Sequence, residues 1–363
     1  MKAQDRFSLN QLLALCSTLV LTPALRLLPG ASARLAGRAG WLSVLTALPF
    51  VAAYAAFLWH FQNLRLSDET LPSLWQRALG ARVGALTLAA AALWLLFYAG
   101  FTLRAGAERL VTTVFPLASR RTLPLPLALI AAVAGAGEAR RLCRVAKLVL
   151  PLLIGTILLT LAFSLPELHK ANLLPLGLRA FPRVLRGSLP TFDAAALALS
   201  CLFFLSDGLT APGRRSSVFI RIALLGILMS LLVAAVIGAL GHELAGSLTR
   251  PYFTLVRTLV FFYSLERIEA LIVALWLFAD FLLLATLMLI ARRCLAPLWK
   301  RPADSPWLKL LCGALPPLLA VLLAPEAEAY AQLSRQIVPA VNLVVCLLMI
   351  PGVYVVGRLR KRL

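Results

Sequence analysis

The chain has 363 residues, of which 61% are hydrophobic and 14% charged, with a formal net charge of +21. Soluble domains are about half apolar and about a quarter charged, so a soluble globular fold is excluded. Lys and Arg cluster in short gaps between long apolar runs; that is the pattern of loops beside anionic lipid headgroups, not of a nucleic-acid interface.

Crossing roughly 30 Å of hydrocarbon takes about 20 mostly apolar residues. Ten apolar segments stand out, at about 9–29, 40–60, 83–103, 122–137, 148–164, 188–206, 217–240, 258–290, 307–323 and 334–356. Their runs are continuous and not alternating, which points to helices and away from a β-barrel. The expected fold is all-α and polytopic: one transmembrane domain over 1–363. Its halves would be about 1–164 and 188–356, joined by a segment at about 165–187.

The chain starts with charged residues through Arg6, then turns apolar, and Ala31-Ser32-Ala33 mimics a signal-peptide cleavage site. With so many apolar segments following, the stretch is read as the first helix. It contains "LVLTPALRLLPG" (Leu19–Gly30), with Thr22 and Pro23 in mid-run. Proline there frees a carbonyl and bends a helix. In the third segment, Tyr98 offers a hydroxyl, or else packs beside Trp94 and Phe97. The fourth segment is short and carries Pro124 and Pro126.

A Pro-rich, weakly amphipathic stretch follows the fifth segment. It aligns Leu178, Phe181, Val184 and Leu185 and is expected to form a short interfacial helix. The sixth segment opens "RGSLPTFDAAALALSCLFF" (Arg186–Phe204), where Pro190 and Thr191 precede Asp193. Asp193 either meets a ligand at a broken helix or caps the helix start. Pro-interrupted helices at the first and sixth positions fit a five-plus-five inverted repeat.

The eighth segment is 33 residues long and would span roughly 50 Å. It contains Glu266, Arg267, Glu269 and Asp280. At 100° per residue the three acids share one face, with Glu266 about 40° and Glu269 about 20° from Asp280, while Glu266 and Asp280 differ in depth by roughly 21 Å. Such a face lines a polar cavity or proton path; alternatively Glu266 and Glu269 pair with arginines such as Arg26, Arg104 or Arg109 and lock helices together, while Asp280, deeper in the run, is either cavity-facing or structural.

If the N-terminus is cytoplasmic, 21 Lys and Arg fall on that side and 14 on the other, with Arg267 set aside. The bias puts both termini inside. The six cysteines form no CxxC pair, the three histidines sit near loops, and no metal or cofactor site is visible. Walker A, H-E-x-x-H and G-x-S-x-G sequences are all absent. An enzyme is therefore not expected.

Three stretches in order resemble the endospore germination permeases, the GerAB-like B subunits of nutrient germinant receptors in the amino acid–polyamine–organocation superfamily. They are "GWLSVLTALPF" (Gly40–Phe50), "NLLPLGLRAFPRVLRGSLPTF" (Asn172–Phe192) and "SLERIEALIVALWLFADFLLLATLML" (Ser264–Leu289). The resemblance implies ten helices in a LeuT-like fold with broken first and sixth helices. It also implies a nutrient germinant, commonly an amino acid, as ligand, and A-type and C-type (lipoprotein) subunits as partners in the spore inner membrane or cell membrane. Carried onto this chain, the pocket would use Thr22, Pro23, Tyr98, Pro190, Thr191 and Asp193. Glu266, Arg267 and Glu269 match the family's eighth-helix motif. Where related transporters place glycine at the unwound part of the first helix, this chain has Leu21 and Leu25 around Pro23-Ala24. An ordinary proton- or cation-coupled amino acid or amine transporter is the alternative reading, with Asp280 or Glu269 as proton carrier.

Overall fold

A computed structural model of the chain describes residues 6–66, 69–113, 124–174, 177, 180–210, 214–259, 268–323, 330 and 332–363. They are almost wholly helical, with no strands among them. Helix α1 (Leu9–Ala36) opens with a reciprocal cap: Gln11 N–H donates to Ser8 Oγ, and Ser8 N–H donates to Gln11 Oε1. That arrangement satisfies two of the orphan donors at a helix start. Gly37, at φ 61°, turns the chain sharply into α2 (Gly40–Gln62); this left-handed backbone is open to glycine at low cost.

Short α3 (Leu71–Leu79) buries Leu71, Leu74 and Trp75 and leads into α4 (Ala81–Thr113). There follow α5 (Pro124–Gly135), α6 (Ala139–Ser164), α7 (Lys170–Leu173), α8 (Phe181–Gly187) and α9 (Leu189–Leu205). The second half holds α10 (Arg215–Leu240), α11 (His242–Ser247), α12 (Pro251–Thr258), α13 (Ile268–Leu295) and α14 (Pro306–Leu322). The last helical run, α15 (Leu333–Leu359), contains two π-helical stretches, Leu333–Ile337 and Val344–Met349.

Seven helical runs among the described residues are long and apolar enough to cross a membrane. The first, Leu9–Gln62, holds both α1 and α2, while α5 and α14 are apolar but shorter. Helices α1 and α9 are buried on nearly every side, and α4 and α13 are mostly buried. A helix apolar all round belongs in the interior. The outer helices turn large apolar side chains outward, among them Leu129, Val133, Leu148, Leu224, Leu310 and Leu348. Such a shell suits hydrocarbon as its solvent.

Three expectations need correction. The first helix is not broken: α1 runs through Pro23 and Pro29. A proline removes one donor, and close packing on all sides holds the remaining ladder in place; Thr22 Oγ1 turns back to donate to Thr18 O at 2.9 Å. The third helix does not end near residue 103 but reaches Thr113, because its arginines are partnered inside the fold. The eighth segment does not start at 258 as one helix of 33 residues. Thr258 ends α12, and the described part of α13 runs from Ile268 to Leu295. A short helix is present there as α8, which Ser188 joins directly to α9, while Leu178 lies outside the described residues. Pro190 lies in the first turn of α9, the position where a missing N–H costs least.

At Gly100, α4 approaches α14 closely. A methyl group there would meet Leu319 Cβ at 2.8 Å and Pro316 O at 2.9 Å. Neither neighbour is a flexible side-chain tip, so Gly100→Ala is expected to cost about 1–3 kcal/mol. A lowered unfolding temperature in detergent would bear this out; an unchanged one would show that α14 is free to shift.

Candidate functional site

A cavity of about 400 Å³ opens at the end of the bundle away from the start of α1. Helix α1 supplies Arg26, Leu27, Gly30 and Arg34, and α4 supplies Arg104, Ala105 and Glu108. The segment through α12 adds Arg250, Phe253, Thr254 and Arg257, and Tyr330, Ser334 and Arg335 close the wall. Six arginines and one glutamate thus face one space. Arg26 and Arg104 lie buried at its floor, and Arg34, Arg257 and Arg335 stand exposed at its rim.

These cations are held by specific contacts. Arg104 pairs with Glu108 at 3.4 Å, one turn along α4. The Arg26 guanidinium sits 5.2 Å over the Phe101 ring, which Tyr330 stacks against at 4.9 Å. Arg34 donates to Gly246 O at 3.0 Å. Burial, followed by the charge of Arg109, pushes Arg250 down to about 10.

Beside the cavity floor, Asp280 of α13 is 3% exposed and its Oδ2 meets Arg109 of α4 at 2.9 Å. Gly106 leaves room for the carboxylate, since a methyl group there would lie 3.3 Å from Oδ2. Arg109 also sits 5.4 Å over the Phe253 ring, so the pair ties α4, α13 and α12 together. Asp280 therefore has the arginine partner that a helix lock requires. Glu266 and Arg267 lie outside the described residues. Glu269 lies within α13, but its side chain is outside them too.

None of the six residues expected to form the pocket lines this cavity; Pro190 is half-buried in the first turn of α9. Thr22 bonds back to its own helix, and Tyr98 is buried beside Trp94 and Phe101. Thr191 lines a separate apolar groove of about 50 Å³ between α1, α2, α9 and α10. Asp193 accepts from Asn342 Nδ2 at 2.7 Å, and Asn342 Oδ1 accepts from Trp94 Nε1 at 3.3 Å. A second polar group adjoins this one: Tyr54 Oη lies 2.9 Å from Ser200 Oγ and donates to Cys346 O at 3.1 Å. Together these bonds link α2, α4, α9 and α15 through the core.

Sequence reasoning missed Arg34, Arg250 and Arg335 as cavity residues because it counted them as loop charges. It missed Asn342 outright, although a lone amide in the apolar run "VPAVNLVVCLLM" is a readable signal of an inward polar contact.

The opposite end is bridged by contacts among the described residues. Phe7 exchanges backbone bonds with Gly208 and Thr210 at 3.0 and 3.1 Å. Arg293 pairs with Asp207 at 3.1 Å, and Arg292 pairs with Asp304 at 2.6 Å and donates to Gly137 O.

A helical bundle with a lipid-suited exterior, a polar cavity at one end and ion pairs across the other is a multi-pass membrane protein of the permease type. A family model described as "Spore germination protein" (Spore_permease) matches residues 6–326, and the chain belongs to that family. The germination-permease resemblance is thereby borne out. No curated protein matches the chain.

Breaking the Asp280–Arg109 pair from one side strands a buried charge, which costs on the order of 3–5 kcal/mol. Asp280→Leu and Arg109→Met should each lower the unfolding temperature sharply, and the double variant should recover much of the loss. Additive losses in the double variant would show that the two charges do not depend on one another.

Proposed function

We propose that the chain is a germination permease-like subunit that binds a small nutrient germinant, such as an amino acid, and signals or transports across the membrane. One observation carries this reading: a cavity of about 400 Å³ opens at one end of the bundle while ion pairs bridge the other. That volume falls within the usual range for small-molecule sites, roughly 300–1,000 Å³. The proposed role is binding and signalling, not catalysis. Its partners would be A-type and C-type receptor subunits in the cell membrane or spore inner membrane.

The architecture proposed with it is ten spans in two inverted repeats. Supporting this, Gly37 divides the first run into two helices, and α5 and α14 add two shorter apolar ones. The Lys and Arg bias supports cytoplasmic termini, and the cavity would then face away from the cytoplasm. The second reading, a proton- or cation-coupled transporter, draws on buried Asp280.

A bulky side chain in the cavity tests the first reading. Thr254 is half-buried in the cavity wall. Thr254→Trp should weaken germinant binding by about tenfold or more, worth roughly 1.4 kcal/mol, and should slow germinant-triggered loss of spore refractility in parallel. Full binding by the plugged protein would place the ligand elsewhere. For the second reading, proteoliposome uptake driven by a pH gradient and lost in Asp280→Asn would favour a transporter. Ligand binding without uptake would favour a receptor.

A further inference from the structure

Arg26 sets the chemistry of the cavity. It is 8% exposed and lines the cavity floor, and its Nε has no hydrogen-bond partner among the described residues. Its flat face is taken by Phe101 at 5.2 Å, and the edge that carries the donors remains. A guanidinium does not escape burial by losing its proton, as lysine does. Unmet donors on a buried cation are costly. Asp280, a carboxylate whose charge Arg26 feels, is held at 2.9 Å by Arg109. The geometry at Arg26 calls for an acceptor that no described residue supplies by hydrogen bond.

The rim repeats the same preference. Arg34 and Arg335 line the same opening and lie close enough to repel one another. Exposed like charges at the mouth of a low-dielectric cleft raise the local concentration of ligands of opposite sign. Leu27, Phe253 and Tyr330 add apolar wall, which suits a carbon skeleton.

We infer that the cavity takes a small organic anion whose carboxylate or phosphate oxygens pair with the Arg26 guanidinium, and that it prefers a net-negative ligand over a zwitterion. This deepens the proposed function and rests on this cavity being the germinant site. Carboxylate and phosphate present the same acceptor geometry to a guanidinium fork. A free anion and an anionic lipid headgroup would both supply it.

The test uses the full chain in nanodiscs of pure phosphatidylcholine and of phosphatidylcholine with phosphatidylglycerol. Binding of succinate, citrate, inorganic phosphate and L-alanine would be measured by calorimetry at two NaCl concentrations. Succinate or citrate should bind more tightly than L-alanine and lose affinity with added salt. Arg26→Gln should weaken them about 10- to 100-fold, and Arg335→Gln, on the exposed rim, by a few-fold. Should Arg26→Gln fail to fold, the rim variant and the salt dependence decide. Stabilisation by phosphatidylglycerol that is lost with Arg26, without small-anion binding, would support the oxyanion site and make lipid its source. L-alanine binding that ignores both variants would overturn the anion preference and leave the germinant reading intact. No binding in any arm would overturn both.

Discussion

A charge inside a membrane protein has nowhere to go for solvation, and the Asp280–Arg109 pair meets that constraint at the centre of this fold. Neither side chain is tolerable alone at such burial. Their 2.9 Å contact fixes α13 against α4, and the lack of a side chain at Gly106 gives the carboxylate its space. Because Arg109 also covers Phe253, α12 is drawn into the same arrangement and becomes a cavity wall. The floor of the cavity therefore follows from where one buried carboxylate found its partner.

The two ends of the bundle solve the same problem differently. At the closed end, Arg292 and Arg293 pair with Asp304 and Asp207, and Arg292 also donates to backbone carbonyls, although its Nε has no partner among the described residues. At the open end, the side chains of Arg26, Arg34 and Arg335 border a void. A conformational cycle that opened the closed end would have to break two ion pairs and the Phe7–Gly208 bond. Such paired contacts give a discrete two-state element rather than a continuous one.

Fold class and most helix positions were legible in the sequence because hydrocarbon leaves a strong compositional signature: continuous apolar runs separated by arginine. Pro190 likewise marked the beginning of α9. The site was less legible. A proline shows that a donor is missing, but not whether neighbours clamp the helix around it, so Pro23 suggested a break that α1 does not have. An arginine beside an apolar run looks like a loop residue until its partner is seen, and Arg104 and Arg109 shortened α4 on paper for that reason. Partners such as Asp280 and Arg109, or Asp193 and Asn342, are far apart in the chain, and only the packing brings them together.

Helix α1 has one further property. Its backbone ladder lacks a donor at Pro23 and again at Pro29, and Arg26 stands three residues from each. The stretch between them is thus flanked on both sides by a missing backbone bond. The two prolines leave the long rod intact while giving its one cavity-floor cation a seat with slack at both ends.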